Sequence, residues 1–215
     1  MEKRRPILGM LVFSFHSVGG SIIYDLLLCL GLGILALFLG TNAMIQTFVM
    51  LTAGSAPFIV LMKGEGTAGW EQYQLAMPIE RKNLAGGLYL IVFIATLLMI
   101  PIIVIIWGLG LVFNIVTFYE IAQGLPGLSF VYGLVFWLTA LVYPLACTKF
   151  GGKNESALMF TCLIAALAIV IGISTLGRVM GLTSGAISFL VIVISGTAFV
   201  VSLFITRGIY ARMDF

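Results

Sequence analysis

Six apolar stretches, each long enough to cross a bilayer, fill most of this 215-residue chain. They cover about residues 22–40, 43–62, 84–112, 128–147, 156–176 and 186–206. A transmembrane helix needs about 20 predominantly apolar residues. In hydrocarbon each segment has to satisfy its own backbone polar groups, so stretches of this length fold as helices. Composition closes off a water-soluble alternative. The chain is 61% hydrophobic and only 9% charged, where a soluble domain carries about 25% charged residues. A soluble fold of this size could not hide so much apolar surface. The expected fold is therefore all-α and polytopic, a single transmembrane domain over residues 1–215 with about six spans.

What lies between the spans is short. Residues 1–20 place Ile7, Leu8, Leu11, Phe15 and Val18 at helical spacing behind Lys3, Arg4 and Arg5, the pattern of a helix lying in the interface. No small-residue cleavage site follows the basic start, so the segment reads as a retained N-terminus. Residues 63–83 are the longest hydrophilic stretch. The segment 114–127 reads as a loop, with an interfacial helical piece or a lid as alternatives. Gly177–Gly185 reads as a turn, and Pro101 as a bend in a long third span.

The basic residues set the orientation. With the N-terminus inside, the inner segments hold Lys3, Arg4, Arg5, Lys63, Arg81, Lys82, Lys149, Lys153, Arg207 and Arg212, and the outer loops hold only Arg178. This asymmetry predicts both termini on the cytoplasmic side of the membrane. An odd number of spans would destroy it.

Several chemistries drop out. Cys29, Cys147 and Cys162 lie scattered in apolar stretches and His16 is the single histidine, so neither a disulfide framework nor a metal site is expected. Gly64–Gly69 matches G-x-G-x-x-G, but it joins two spans where a dinucleotide site needs a strand and a helix. No G-x-x-x-x-G-K-[ST] occurs. Asn154-Glu155-Ser156 falls on the cytoplasmic side, which removes it as a glycosylation acceptor. Gly177, Gly181 and Gly185 give two overlapping G-x-x-x-G matches; a helix-packing face is one reading, an outer loop around Arg178 the favoured one. Glu120 falls in the outer loop. Asp25 is the single candidate for a functional acid in the membrane. Its bland reading is an interfacial acid paired with nearby basic residues. Without further intramembrane acids, ion coupling lacks its usual groups.

The informative segment is Trp70–Lys82, WEQYQLAMPIERK. Trp70, Tyr73 and Met77 fall at i, i+3 and i+7, beside the polar Glu71, Gln72 and Gln74. That is a short amphipathic helix stopped near Pro78, with Glu80-Arg81-Lys82 entering the third span. It either rests on lipid with Trp70 and Tyr73 as belt residues or lies in a groove of a cytoplasmic partner.

At this segment the chain resembles the short permeases of the ABC-2 transporter family, whose loop between the second and third spans carries a coupling helix with a pattern like E-x-x-x-x-L-P-x-x-R. The matching residues here are Glu71, Gln72, Leu75, Ala76, Met77, Pro78, Ile79, Glu80, Arg81 and Lys82, with Tyr89 further on; Met77 stands where leucine is usual. A second cytoplasmic loop that often reads like P-L-x-x-K-F-G in the family has its counterpart, one residue longer, in Pro144, Leu145, Lys149, Phe150 and Gly151. Its tail motif is approximated by Tyr210, Arg212, Asp214 and Phe215, with Met213 interrupting the Arg-Asp pair. Within the family, the chain is most similar to permeases of peptide-toxin exporters of the phenol-soluble-modulin type.

The resemblance implies a permease that carries no catalytic residue and no cofactor. ATP and magnesium belong to a separate cytoplasmic ATPase, and a second permease copy or paralogue completes a dimer. Trp70, Glu71, Gln72, Tyr73, Leu75, Met77, Pro78, Arg81 and Lys82 would form the coupling contact, with Lys149, Phe150 and Gly151 as a second one. Membrane lipids are the remaining partner; nucleic acid is not expected. The apolar and aromatic outer ends, Phe113, Phe118, Tyr119, Phe130 and Tyr132, suit amphipathic peptides or other hydrophobic substrates, or serve as interface anchors. A non-transporting scaffold or immunity protein is the alternative, and an ion-coupled transporter or channel through Asp25 a further one.

Overall fold

The computed structural model describes residues 23–38, 42–146 and 155–212. They form six helices: α1 (Ile23–Phe38), α2 (Asn42–Glu65), α3 (Arg81–Val112), α4 (Phe118–Ala146), α5 (Glu155–Val179) and α6 (Ser184–Arg212). Among the described residues, four helices are long and apolar enough to cross a membrane: Gly86–Val112, Phe118–Leu145, Ala157–Val179 and Ser184–Ile209. The chain is thus an all-helical polytopic membrane protein. The interfacial helix expected over 1–20, the segment 66–80 and the loop 147–154 lie outside the described residues.

Helix α4 is the hub. It packs against α6, α5, α2 and α3, while α2 also packs on α3, and α6 on α3 and α5. The core is correspondingly apolar, built on Ile45, Val49, Val92, Met99, Ile106, Val135, Leu138 and Val142. Lipid tails are as apolar as these side chains, so close packing rather than water exclusion holds such helices together. Gly133 shows the tolerance. A Cβ there would stand 2.7 Å from Val191 Cγ1 and 3.2 Å from Ser195 Oγ on α6. Valine is stiff about χ1 and cannot swing aside. Gly133→Ala is expected to lower the stability of the detergent-solubilised chain by about 1–3 kcal/mol, the usual cost of overpacking. An unchanged unfolding midpoint would show that α4 and α6 can part freely.

Two stretches that the sequence suggests are loops are mostly helical. Helix α4 begins at Phe118, so most of 114–127 belongs to it. The cause is a capping box, Thr117-Phe118-Tyr119-Glu120. The Thr117 backbone N–H donates to Glu120 Oε2 at 2.7 Å, and the Glu120 N–H donates back to Thr117 Oγ1 at 3.3 Å. Before it, Asn114 at φ 55° closes α3. Its N–H reaches the Leu111 carbonyl and the Ile115 N–H the Gly110 carbonyl, which is a Schellman ending. The turn between α5 and α6 is likewise shorter than Gly177–Gly185. Gly181, at φ 73°, takes the left-handed position, with Gly181 N–H on Arg178 O and Leu182 N–H on Gly177 O. Gly177 is itself helical, and a Cβ on it would come 2.9 Å from Ile187 Cγ1 of α6. The packing-face reading therefore holds at Gly177, and the turn reading at Gly181. Pro101 sits on the exposed side of α3, which continues through it from Arg81 to Val112.

Candidate functional site

The residues proposed for coupling divide at the edge of the described chain. Trp70, Glu71, Gln72, Tyr73, Leu75, Met77 and Pro78 lie outside it, as do Lys149, Phe150 and Gly151. Arg81 and Lys82 form the first turn of α3. The segment 66–80 joins α2, ending at Glu65, to α3, starting at Arg81.

Eight residues into α3, about 12 Å along its axis, Tyr89 is 1% exposed and ties three helices together. Its hydroxyl lies 2.7 Å from Ser202 Oγ and 2.9 Å from Thr206 Oγ1, both on α6. Ser202 donates in turn to the Ala140 carbonyl of α4 at 2.7 Å, and Thr206 to the Ser202 carbonyl at 2.8 Å. With both of those hydroxyl protons committed, Tyr89 is the donor towards α6. Its ring packs on Tyr143 of α4 at 5.0 Å and edge-on to Phe199 of α6 at 5.1 Å, and Phe199 meets Phe136 at 5.2 Å. Nearer the start of α3, Arg207 of α6 lies over Gly86, its Nη2 2.6 Å from where a Cβ would be. The first three turns of α3 are therefore fastened to α6, and through Ser202 to α4. The spacing of Ser202 and Thr206, i and i+4 in an apolar helix, was the sequence signal for this lock. The sequence reading missed it by looking for charge alone.

Asp25 is bonded to α2 and to its own helix. It accepts from Ser55 Oγ of α2 at 2.8 Å and from Cys29 Sγ at 3.8 Å. Ser55 lies eight residues before Lys63, about 12 Å up the helix. Among the described residues its partners are a hydroxyl and a thiol, not a base. Antiparallel α1 and α2 bring position 25 level with position 55, well short of the basic residues at 63, 81 and 82. Asp25→Asn keeps an acceptor oxygen, and the ATP-driven account expects unchanged transport. A well-assembled variant that no longer transports would place the charge of Asp25 in the pathway.

Two surfaces complete the picture. An apolar groove of about 690 Å³ runs between α4 and α6, walled by Trp137, Leu141, Val193, Val201 and Ile205. At the end carrying the tight turns, Phe113, Phe118 and Tyr119 are 61%, 80% and 72% exposed. They project outward there as belt residues do. No group of three or more metal-ligating side chains occurs among the described residues.

A polytopic helical bundle whose longest polar segment leads into the locked helix α3 matches one family over nearly its whole length. The model of the family described as "ABC-2 family transporter protein" covers residues 10–211. The chain belongs to the ABC-2 transporter family. Membership makes this an ABC transporter membrane protein and implies an ATPase partner. No curated protein and no solved structure matches the chain. The matched region of this ABC-2 chain includes the 66–80 segment, the Tyr89 lock and both tight turns.

Proposed function

We propose that this ABC-2 chain is the permease subunit of an exporter, forming the membrane pathway for amphipathic peptides or other hydrophobic substrates. A separate ATPase drives it, and a second permease copy or paralogue completes the pathway. The observation that carries the reading is the position of the Tyr89 lock directly behind the coupling segment. In an ABC transporter the ATPase closes and opens as it turns over, and that movement has to reach the spans. A force applied at Trp70–Lys82 enters α3 at Arg81. The bonds of Tyr89 to Ser202 and Thr206, and of Ser202 to Ala140, pass it to α6 and α4 with little slack. A chain fastened this way moves three helices as a unit, which is what gating by a remote motor requires.

The substrate class rests on the walls. The groove between α4 and α6 is apolar, and the exposed helix faces carry Phe38, Phe160, Phe189 and Phe204. Such surfaces suit an amphipathic molecule and disfavour a sugar or an ion, whose polar groups would lie unpaired. The inner position of the termini follows from the ten-to-one distribution of basic residues. The direct test is sensitivity. Deleting the gene from its host should raise sensitivity to externally added cationic amphipathic peptides, and the wild-type gene should restore resistance. Altered sensitivity to small lipophilic drugs alone would overturn the peptide assignment.

A further inference from the structure

A second cavity, of about 370 Å³, opens between the ends of α4, α5 and α6 that carry the tight turns. We propose that it binds a phospholipid headgroup that combines an anionic phosphate with free hydroxyls, as in phosphatidylglycerol. Three observations converge on this ligand.

The first is charge. Arg178 lines the cavity and is the single basic residue that the charge count places on this side. No carboxylate among the described residues pairs with it; Glu120, at the start of α4, bonds to Thr117. The guanidinium is left to an external anion, and a phosphate accepts its forked donors.

The second is the state of the hydroxyls. Ser129, Ser174, Thr175 and Ser188 all line the cavity, yet each donates its proton to a carbonyl of its own helix: Ser129 to Leu125, Ser174 to Val170, Thr175 to Ile171 and Ser188 to Ser184. What they offer a ligand is acceptor lone pairs. A phosphodiester without hydroxyls satisfies Arg178 and leaves those acceptors unused. A phosphate that carries hydroxyl donors satisfies both.

The third is the gradient of polarity with depth. Arg178 and Ser184 stand nearest the turn. Below them on α5 and α6, towards the middle of the bundle, come Thr175, Ser174 and Ser188 with Ile187 beside them, and below those Ile171 and Val191; α4 adds Pro126, Ser129 and Phe130. A lipid entering from the side presents its groups in that order, headgroup at the rim and acyl chain against the apolar wall.

The test uses the full-length chain purified in detergent, with bound lipid counted by native mass spectrometry. Three lipids with identical acyl chains are offered: phosphatidylglycerol, phosphatidylmethanol (the same charge without the hydroxyls) and phosphatidylcholine. Retention is expected in that order. Arg178→Gln should reduce phosphatidylglycerol retention about tenfold, the usual weight of a charge-assisted hydrogen bond. Arg178→Lys should keep most of it, which shows that the loss follows charge and not misfolding. The Ser174→Ala/Ser188→Ala pair should bring phosphatidylglycerol down to the level of phosphatidylmethanol. Equal retention of all three lipids, or an Arg178→Gln chain that retains phosphatidylglycerol like wild type, would overturn the proposal. Soluble glycerol 1-phosphate separates the two sources of this chemistry. Poor displacement of the lipid supports a membrane ligand. Tight binding of the soluble phosphate, without preference for phosphatidylglycerol, contradicts one.

Discussion

Alanine at Tyr89 is expected to destabilise the permease by about 3–5 kcal/mol, the range for removing a large buried aromatic side chain. The value should fall in the lower part of that range, because lipid gives no transfer penalty between helices. Three losses add up. The ring leaves a cavity between Tyr143 and Phe199, each of which it meets at close to 5 Å. Its two aromatic contacts, each worth about 0.5–1.5 kcal/mol beyond area, vanish. The donor shared by Ser202 and Thr206 disappears as well. Thermal unfolding in detergent reads the sum. Tyr89→Phe separates the parts: it keeps both ring contacts and should cost about 1 kcal/mol, as interhelical hydrogen bonds in membranes do. Phenylalanine should nonetheless weaken the link between ATP turnover and transport, since the link from α3 to Ser202 and Thr206 runs through the hydroxyl. If alanine leaves the unfolding midpoint where it was, α3 is not fastened to α6 as described.

The second large effect lies in the segment 70–82. Tyr73→Asp or Leu75→Asp places a charge where an apolar contact with the ATPase is proposed. Burying an unpaired carboxylate costs several kcal/mol, enough to abolish docking. Transport should be lost while the protein still inserts in the membrane at normal levels. Glu71 and Gln72 are the polar residues of the proposed contact segment, and alanine there should have a smaller effect. Unimpaired transport in both aspartate variants would contradict the coupling role of this segment and leave Trp70 and Tyr73 as anchors in lipid.

The architecture was readable in the sequence because hydrocarbon tolerates so few backbone solutions. Long apolar stretches separated by Gly40-Thr41-Asn42, by 63–83 and by Lys149–Glu155 allow little besides a helical bundle. Helix ends were harder. Thr117-x-x-Glu120 is a start signal four residues long, easily lost in a stretch that also contains Gly124, Pro126 and Gly127. Pro126 and Gly127 read as helix breakers, yet neighbouring helices compensate within a membrane protein: Met50 of α2 packs directly on Gly127, and Gln46 on Gly124. Lateral contacts were legible only by half: the spacing of Ser202 and Thr206 marks a polar pair in an apolar helix but not its partner. Nothing in the order of residues says that Tyr89 meets positions 202 and 206, or that Asp25 meets Ser55. Both pairings depend on which helices are neighbours and how far each one reaches, and those are set by packing across the whole bundle. Arg178 is the instructive intermediate case. Its isolation on one side was visible from the charge count, but the hydroxyl-lined cavity beside it came only with the fold.

The central claim is that this ABC-2 chain works as the membrane half of an ATP-driven machine. The most direct measurement is purification of the tagged chain from its native host in mild detergent, with mass spectrometry of what accompanies it. The account predicts a stoichiometric partner of the size of a single nucleotide-binding ATPase domain, lost when Tyr73 or Leu75 is changed to aspartate. A preparation free of any ATPase, even after crosslinking in intact cells, would contradict it and leave the chain a membrane scaffold with an interfacial helix.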